Sequence, residues 1–215
     1  MSEKNYEKLK ASYEGKKNLI KTRLREFKEV FEKGDDRRIF EELVFCIFTA
    51  GASAKMGLKS VDAVKDILME GSVEELYERL KHVHIYPGRA NYIVHTREYS
   101  KREYGFKLRD LILSFKEPEE RRDFFAKNKD IKGLSYKEAS HFLRNIGFRG
   151  YAILDKHLLR SLHEFGVINN PKPPTTKKKY LETEAKMKEF AGEIGVDFDE
   201  LDLLLWSERT GEILK

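Results

Sequence analysis

KGLSYKEASHFLRNIGFRGYAILDKHLLRSL, residues 132–162, reads as a short turn, an amphipathic helix, a glycine-rich loop and a further helix. EERRDFFAKN, residues 119–128, supplies a helix before the turn, so the chain makes a helical hairpin here. Ala139, Phe142, Leu143 and Ile146 fall on one face of the helix after the turn, and Gly133 gives the turn a backbone freedom that a side chain would oppose. Backbone N–H groups at the start of that helix point outward, where the helix dipole favours an anion such as phosphate. Lys132, Lys137, His141 and Arg144 would add positive charge around the same place. Between residues 127 and 160 eight Lys/Arg face three acids, an excess equal to the net +5 of the whole chain.

Outward from the hairpin the pattern stays helical. Leu9, Tyr13, Ile20, Leu24, Phe27 and Phe31 form one stripe that ends near Gly34. RRIFEELVFCIFTAG, residues 37–51, is apolar nearly all round and predicts the most deeply buried helix. Ser72 and Glu75 have capping-box spacing ahead of residues 73–82, and Pro87-Gly88 breaks the chain before another helix from residue 89. Further helices fit residues 117–128, 136–147, 153–166, 179–195 and 197–208. Period-two runs of β-branched residues and Asn-Gly or Asp-Gly turns are missing, so the expected fold class is all-α. NNPKPPTTKKK, residues 169–179, predicts a connecting loop.

Composition narrows the function classes. The lone cysteine, Cys46, lies in an apolar run, which excludes a disulfide framework or an iron–sulfur cluster within the 215 residues. His82, His84 and His95 lack a third ligand at helix spacing, so neither a metal nor another cofactor is expected. No run approaches a membrane span, and the first residues are charged where a secretory leader would be apolar. The expectation is a cytoplasmic protein.

The order Gly133, Lys137, Ala139, Leu143, Gly147, Tyr151, Ala152, Asp155, His157, Arg160 resembles the helix-hairpin-helix DNA glycosylase superfamily. SHFLRNIGFRGYAILDKHLLR most closely resembles its type 2 branch of 8-oxoguanine DNA glycosylases, found in archaea and thermophiles. LVFCIFTAGASAKMG near the front and LDLLLWSERTGEILK at the end extend the likeness over most of the chain. Two departures stand out. Ser135 occupies the place of the usual second glycine, and Leu154 precedes the aspartate where the superfamily has proline.

The resemblance implies one glycosylase domain over residues 1–215, made of two helical subdomains with a DNA-binding cleft between them. Residues 132–162 would be the hairpin and catalytic loop, double-stranded DNA containing 8-oxoguanine the substrate, and the protein a monomer associated with the nucleoid through DNA binding. It implies Lys137 as the nucleophile that forms an imine with the deoxyribose, and Asp155 as the carboxylate that helps activate it. Chemistry supports that pairing: cleaving an N-glycosidic bond leaves positive charge on the sugar, which a carboxylate stabilises and a neutral amine captures. Asp155 also suits the N-cap of the helix that follows. By the same resemblance Trp206 would stack on the extruded base, the final Lys215 would help recognise it, and Asp202 would bond the guanine edge. Gly133, Ser135, Lys132, His141 and Arg144 would meet the DNA backbone. Tyr86, Arg89 and Tyr92 are candidate duplex contacts, and the backbone around Ser53 would touch the flipped nucleotide. Two alternatives stay open: the same chemistry on another oxidised base, or a DNA-binding module without catalysis.

Overall fold

A computed structural model of the chain describes residues 3–214. Eleven helices and no strand are found among the described residues. They run α1 (Glu3–Lys33), α2 (Asp36–Thr49), α3 (Ala54–Val64), α4 (Val73–Leu80), α5 (Arg89–Tyr104), α6 (Leu108–Ser114), α7 (Pro118–Lys127), α8 (Tyr136–Asn145), α9 (Lys156–Glu164), α10 (Lys177–Ile194) and α11 (Phe198–Thr210). The chain forms two compact units, one from Met1–Lys28 with Gly147–Lys215 and one from Glu29–Ile146.

The continuous unit is built around α2. Asp35 caps its start by accepting from the Arg38 N–H at 2.8 Å. Ile39, Phe40, Leu43, Val44, Phe45, Cys46, Ile47 and Phe48 are all buried, because α3, α5, α6 and α8 pack around this helix. Its last carbonyls would otherwise be orphaned. The Arg89 guanidinium takes them up, donating to the carbonyls of Ile47 at 2.6 Å and Phe48 at 2.8 Å, and to that of Ala50. His84 accepts the Tyr86 N–H on Nδ1 at 2.9 Å, which leaves Nε2 to donate to the Phe48 carbonyl, also at 2.9 Å. Arg89, a candidate for the duplex, is thus committed to closing α2, while Tyr86 and Tyr92 remain exposed.

Two short helices, α3 and α6, were not foreseen from the apolar pattern. Ser53 caps α3 by accepting from Met56 N–H at 3.2 Å. Helix α6 has only seven residues and is held from outside: Asp36 accepts from the Arg109 N–H at 2.7 Å, and the Arg109 guanidinium donates to the Phe31 and Gly34 carbonyls. Helix α4 carries the expected Ser72–Glu75 capping box.

The other unit joins both ends of the sequence. Leu9, Tyr13, Ile20 and Phe27 of α1 are buried in it, and Tyr13 donates its hydroxyl to Glu200 of α11 at 2.6 Å. Helix α11 packs on α9 and α10. The helix expected to open at residue 153 begins only at Lys156, because residues 151–154 are non-helical and lead into the Asp155 cap. The predicted loop through residue 179 becomes helical at Lys177, where Thr176 accepts from the Lys179 N–H at 3.3 Å. No described helix is long and apolar enough to cross a membrane.

Candidate active site

The hairpin is α7, a turn and α8, all within the continuous unit. After α7 the Asn128 side chain accepts from the Asp130 N–H at 3.0 Å, and the Lys132 N–H donates to Thr96 of α5 at 3.0 Å. Gly133 follows at φ +81°, and a Cβ there would stand 3.0 Å from the ring of Tyr92. Ser135 is at φ −112°, ψ −172°, extended backbone that any residue adopts, so the family's second glycine is not needed at this position. Serine does something else here. Its N–H donates to Glu138 Oε2 at 3.1 Å, and its hydroxyl donates to the same oxygen.

This pair fixes the first turn of α8, in which Lys137 is the second residue. Its Nζ lies 2.7 Å from Glu138 Oε1, with the lysine side chain 23% exposed and the glutamate 8%. Burial pushes the Glu138 carboxyl up, but the Lys137 ammonium and the Ser135 hydrogen bond outweigh it and hold the group below its ordinary value. The face toward α7 is tied as well. Tyr136 donates its hydroxyl to Asp123, and Lys127 pairs with that carboxylate at 2.6 Å.

His141 and Arg144 depart from expectation. Both are buried, His141 edge-on against Phe45 at 5.5 Å between ring centroids. At these positions α8 turns its inner face to α2, so the two side chains lie inside the unit and not on the basic face with Lys132, Gly133 and Ser135.

The loop carrying Asp155 belongs to the other unit and is pinned amide by amide. Arg149 donates to Asp199 at 2.7 Å and Asp197 at 2.6 Å, and the Gly150 N–H donates to Asp199 at 2.8 Å. Two residues on, the Ala152 N–H donates to Glu184 at 2.8 Å while Tyr180 donates its hydroxyl to the Ala152 carbonyl at 2.6 Å. The Leu154 N–H then donates to the Tyr180 oxygen at 3.4 Å. Tyr151, Ala152, Ile153 and Leu154 are buried, so these alternate amides could not turn to water and need the side chains that α10 and α11 provide. Asp155 ends the strap as the N-cap of α9. Its Oδ1 accepts from the N–H groups of His157 and Leu158, both at 2.8 Å. That bond pair uses one oxygen of the carboxylate and fixes its orientation at the start of α9.

Helix α11 brings the remaining candidates into this same unit. Asp202 is buried and therefore not an exposed helix acid, and Trp206, one turn later, is half-buried. Arg209 ties α11 to α9 by donating to Ser161 at 3.1 Å and to Glu164. Lys215 lies outside the described residues. Lys132, Gly133, Ser135 and Lys137 thus share the hairpin of one unit, and Asp155, Asp202 and Trp206 belong to the other.

The sequence profile of the 8-oxoguanine DNA glycosylase family matches residues 20–196. The chain belongs to that family. An 8-oxoguanine DNA glycosylase/AP lyase of Fusobacterium nucleatum is 37% identical over 213 residues, covering 98% of this chain and 97% of its own. One from Methanocaldococcus jannaschii is 38% identical over 201 residues, 93% of each chain. Among solved structures, the 8-oxoguanine DNA glycosylase of Thermotoga maritima superposes with a TM-score of 0.88 at 36% identity over 99% of both chains. The M. jannaschii glycosylase/lyase in complex with a 15mer DNA containing 8-oxoguanine gives 0.86 at 37% identity, over 96% of this chain and 99% of that one.

Within this family member the sequence reading passed over Glu138, Tyr180, Glu184 and Asp199. A signal existed for Glu138, since Ser135-x-x-Glu138 has the spacing of a capping box. The other three stand about thirty to fifty residues from the amides they hold and carry no local pattern.

Proposed function

We propose that this chain is a bifunctional DNA repair enzyme that excises 8-oxoguanine and then cuts the strand at the resulting abasic site. The observation that carries the reading is Lys137, placed in the first turn of the hairpin helix with a partly exposed side chain, in a chain that belongs to the glycosylase family. As a neutral amine Lys137 attacks C1′ of the extruded nucleoside; the N-glycosidic bond breaks and the base leaves with a proton. Asp155, whose Oδ1 caps α9, stabilises the cationic sugar as that bond opens. Ring opening gives an imine, loss of a C2′ proton expels the 3′ phosphate, and water releases the lysine.

For the base, Trp206 provides a stacking face and Asp202 and Lys215 polar contacts. The lesion carries a hydrogen on N7 that guanine lacks, so an acceptor aimed there separates the two. Lys132, Gly133 and Ser135 form the backbone-binding turn. Residues 1–215 act as one glycosylase domain, a monomer on double-stranded DNA.

The test is covalent capture. Borohydride added to the protein with a duplex bearing 8-oxoguanine should yield a trapped adduct, and Lys137→Gln should remove it. A wild-type protein that neither cuts the duplex nor forms the adduct would overturn the reading. Adduct on an oxidised pyrimidine but not on 8-oxoguanine would keep the chemistry and change the base.

A further inference from the structure

Glu138 is not among the residues to which any role in the reaction has been given, yet it is in contact with the nitrogen on which the reaction depends. Its two oxygens divide the work. Oε2 takes the N–H and the hydroxyl of Ser135, so the carboxylate cannot swing, and Oε1 is thereby presented to Lys137 Nζ at 2.7 Å. We infer that Glu138 is a positioning residue for Lys137, its fixed carboxylate holding the Nζ by charge at the mouth of the hairpin and so aiming it. This rests on the reading of Lys137 as the imine-forming residue.

The surroundings favour Glu138 over other carboxylates in this role. From α2, Glu42 accepts from Arg38 at 2.6 Å and from Asn145 at 3.2 Å, and the Cys46 thiol is fully buried and pushed well up by that burial. From α5, Arg89 is engaged by the α2 carbonyls. From α7, Asp123 is held by Tyr136 and Lys127, and Arg122 lies toward Ser140 at 3.4 Å. Arg144 of α8 itself is buried. Glu138, kept ionised by Ser135 and Lys137 in spite of its burial, therefore faces the lysine as a permanent negative charge over the working pH range.

Proton transfer from the ammonium to Glu138 is not the route. Ordinary values near 10 for lysine and 4 for glutamate make that transfer unfavourable by about six powers of ten. The carboxylate instead favours the ammonium, as an opposite charge in contact does, and the proton leaves to solvent. The hold is an aiming device with a cost in reactivity, paid at low pH.

The measurement is single-turnover trapping on a duplex with a preformed abasic site, enzyme in excess, from pH 5 to 9. Glutamine can keep the bond to Ser135, so Glu138→Gln removes the charge with least damage to the turn. The acidic limb of the profile should move to lower pH, with a plateau up to about tenfold lower because the amine is less well aimed. Glu138→Asp, which keeps the charge, should restore much of the limb's position. Ser135→Ala loosens the carboxylate and should move the limb the same way by less; it carries the test should Glu138→Gln not melt cooperatively. A limb unmoved in these variants makes Glu138 a helix cap only and overturns the inference. A wild-type protein that forms no adduct on abasic DNA fails the nucleophile reading itself, so the two failures are separable.

Discussion

Gly133 and Gly147 share a left-handed backbone, φ +81° and +90°, but a side chain at each would meet a different obstacle. At Gly133 a Cβ would press at 3.0 Å on the edge of the Tyr92 ring, and Tyr92 is exposed enough to yield. At Gly147 it would come within 2.4 Å of the Lys28 Cα and 2.9 Å of its nitrogen, backbone that cannot move without moving α1. Gly133→Ala should therefore cost little beyond the left-handed penalty, about 1–2 kcal/mol, whereas Gly147→Ala should cost at least twice that. Urea unfolding of the two variants gives the comparison, and equal losses would show that the clash at Lys28 is relieved for free. At this scale the sequence was informative where one residue type has one use. The places of Lys137 in the first turn of a helix and of Asp155 as the N-cap of the next were legible from their order around a glycine-rich loop. His141 and Arg144 were misread because a residue name tells charge but not which face of α8 it occupies.

Helices were the most legible elements, since an apolar stripe at helical spacing is a local signal. Helix α8 buries the four residues its pattern selected, Ala139, Phe142, Leu143 and Ile146. Helix α6 escaped because its support comes from Asp36 and from carbonyls over seventy residues away. The strap from residue 150 to Asp155 is similar, for its rigidity resides in side chains of α10 and α11. Tyr180→Phe tests this element with one atom: the hydroxyl that donates to the Ala152 carbonyl and accepts from the Leu154 N–H disappears. We expect a loss of about 1–3 kcal/mol, the range for leaving buried polar groups unpaired. Amide exchange at Leu154 should quicken, and the His157 and Leu158 amides that cap on Asp155 should follow. Protection unchanged at all three would mean that the strap is held by its buried side chains alone.

Over the whole molecule, acid should weaken the fold in a defined window. Glu138, Glu98 and Glu208 are all held below their ordinary value near 4.5, in each case by lysine, arginine or hydroxyl partners that outweigh burial. The unfolded chain then binds more protons as pH falls, so the stability they contribute is complete above about pH 4.5 and drains away below it. Glu98 and Glu208 are half open to solvent and screened, which leaves Glu138 the largest share. Urea midpoints should be flat from pH 7 to 5 and fall toward pH 3.5, and Glu138→Gln should flatten that fall; a profile identical to wild type would place the acid sensitivity elsewhere. Neither the window nor the division of the fold into two units could be read from composition, because both depend on which distant residues meet. That division has a consequence for synthesis. As the chain leaves the ribosome, Glu29–Ile146 is finished while its neighbour has only α1, whose buried residues must wait for the last third of the message. A product that stops after Ile146 therefore carries the lysine of the hairpin but neither the aspartate strap nor the tryptophan helix.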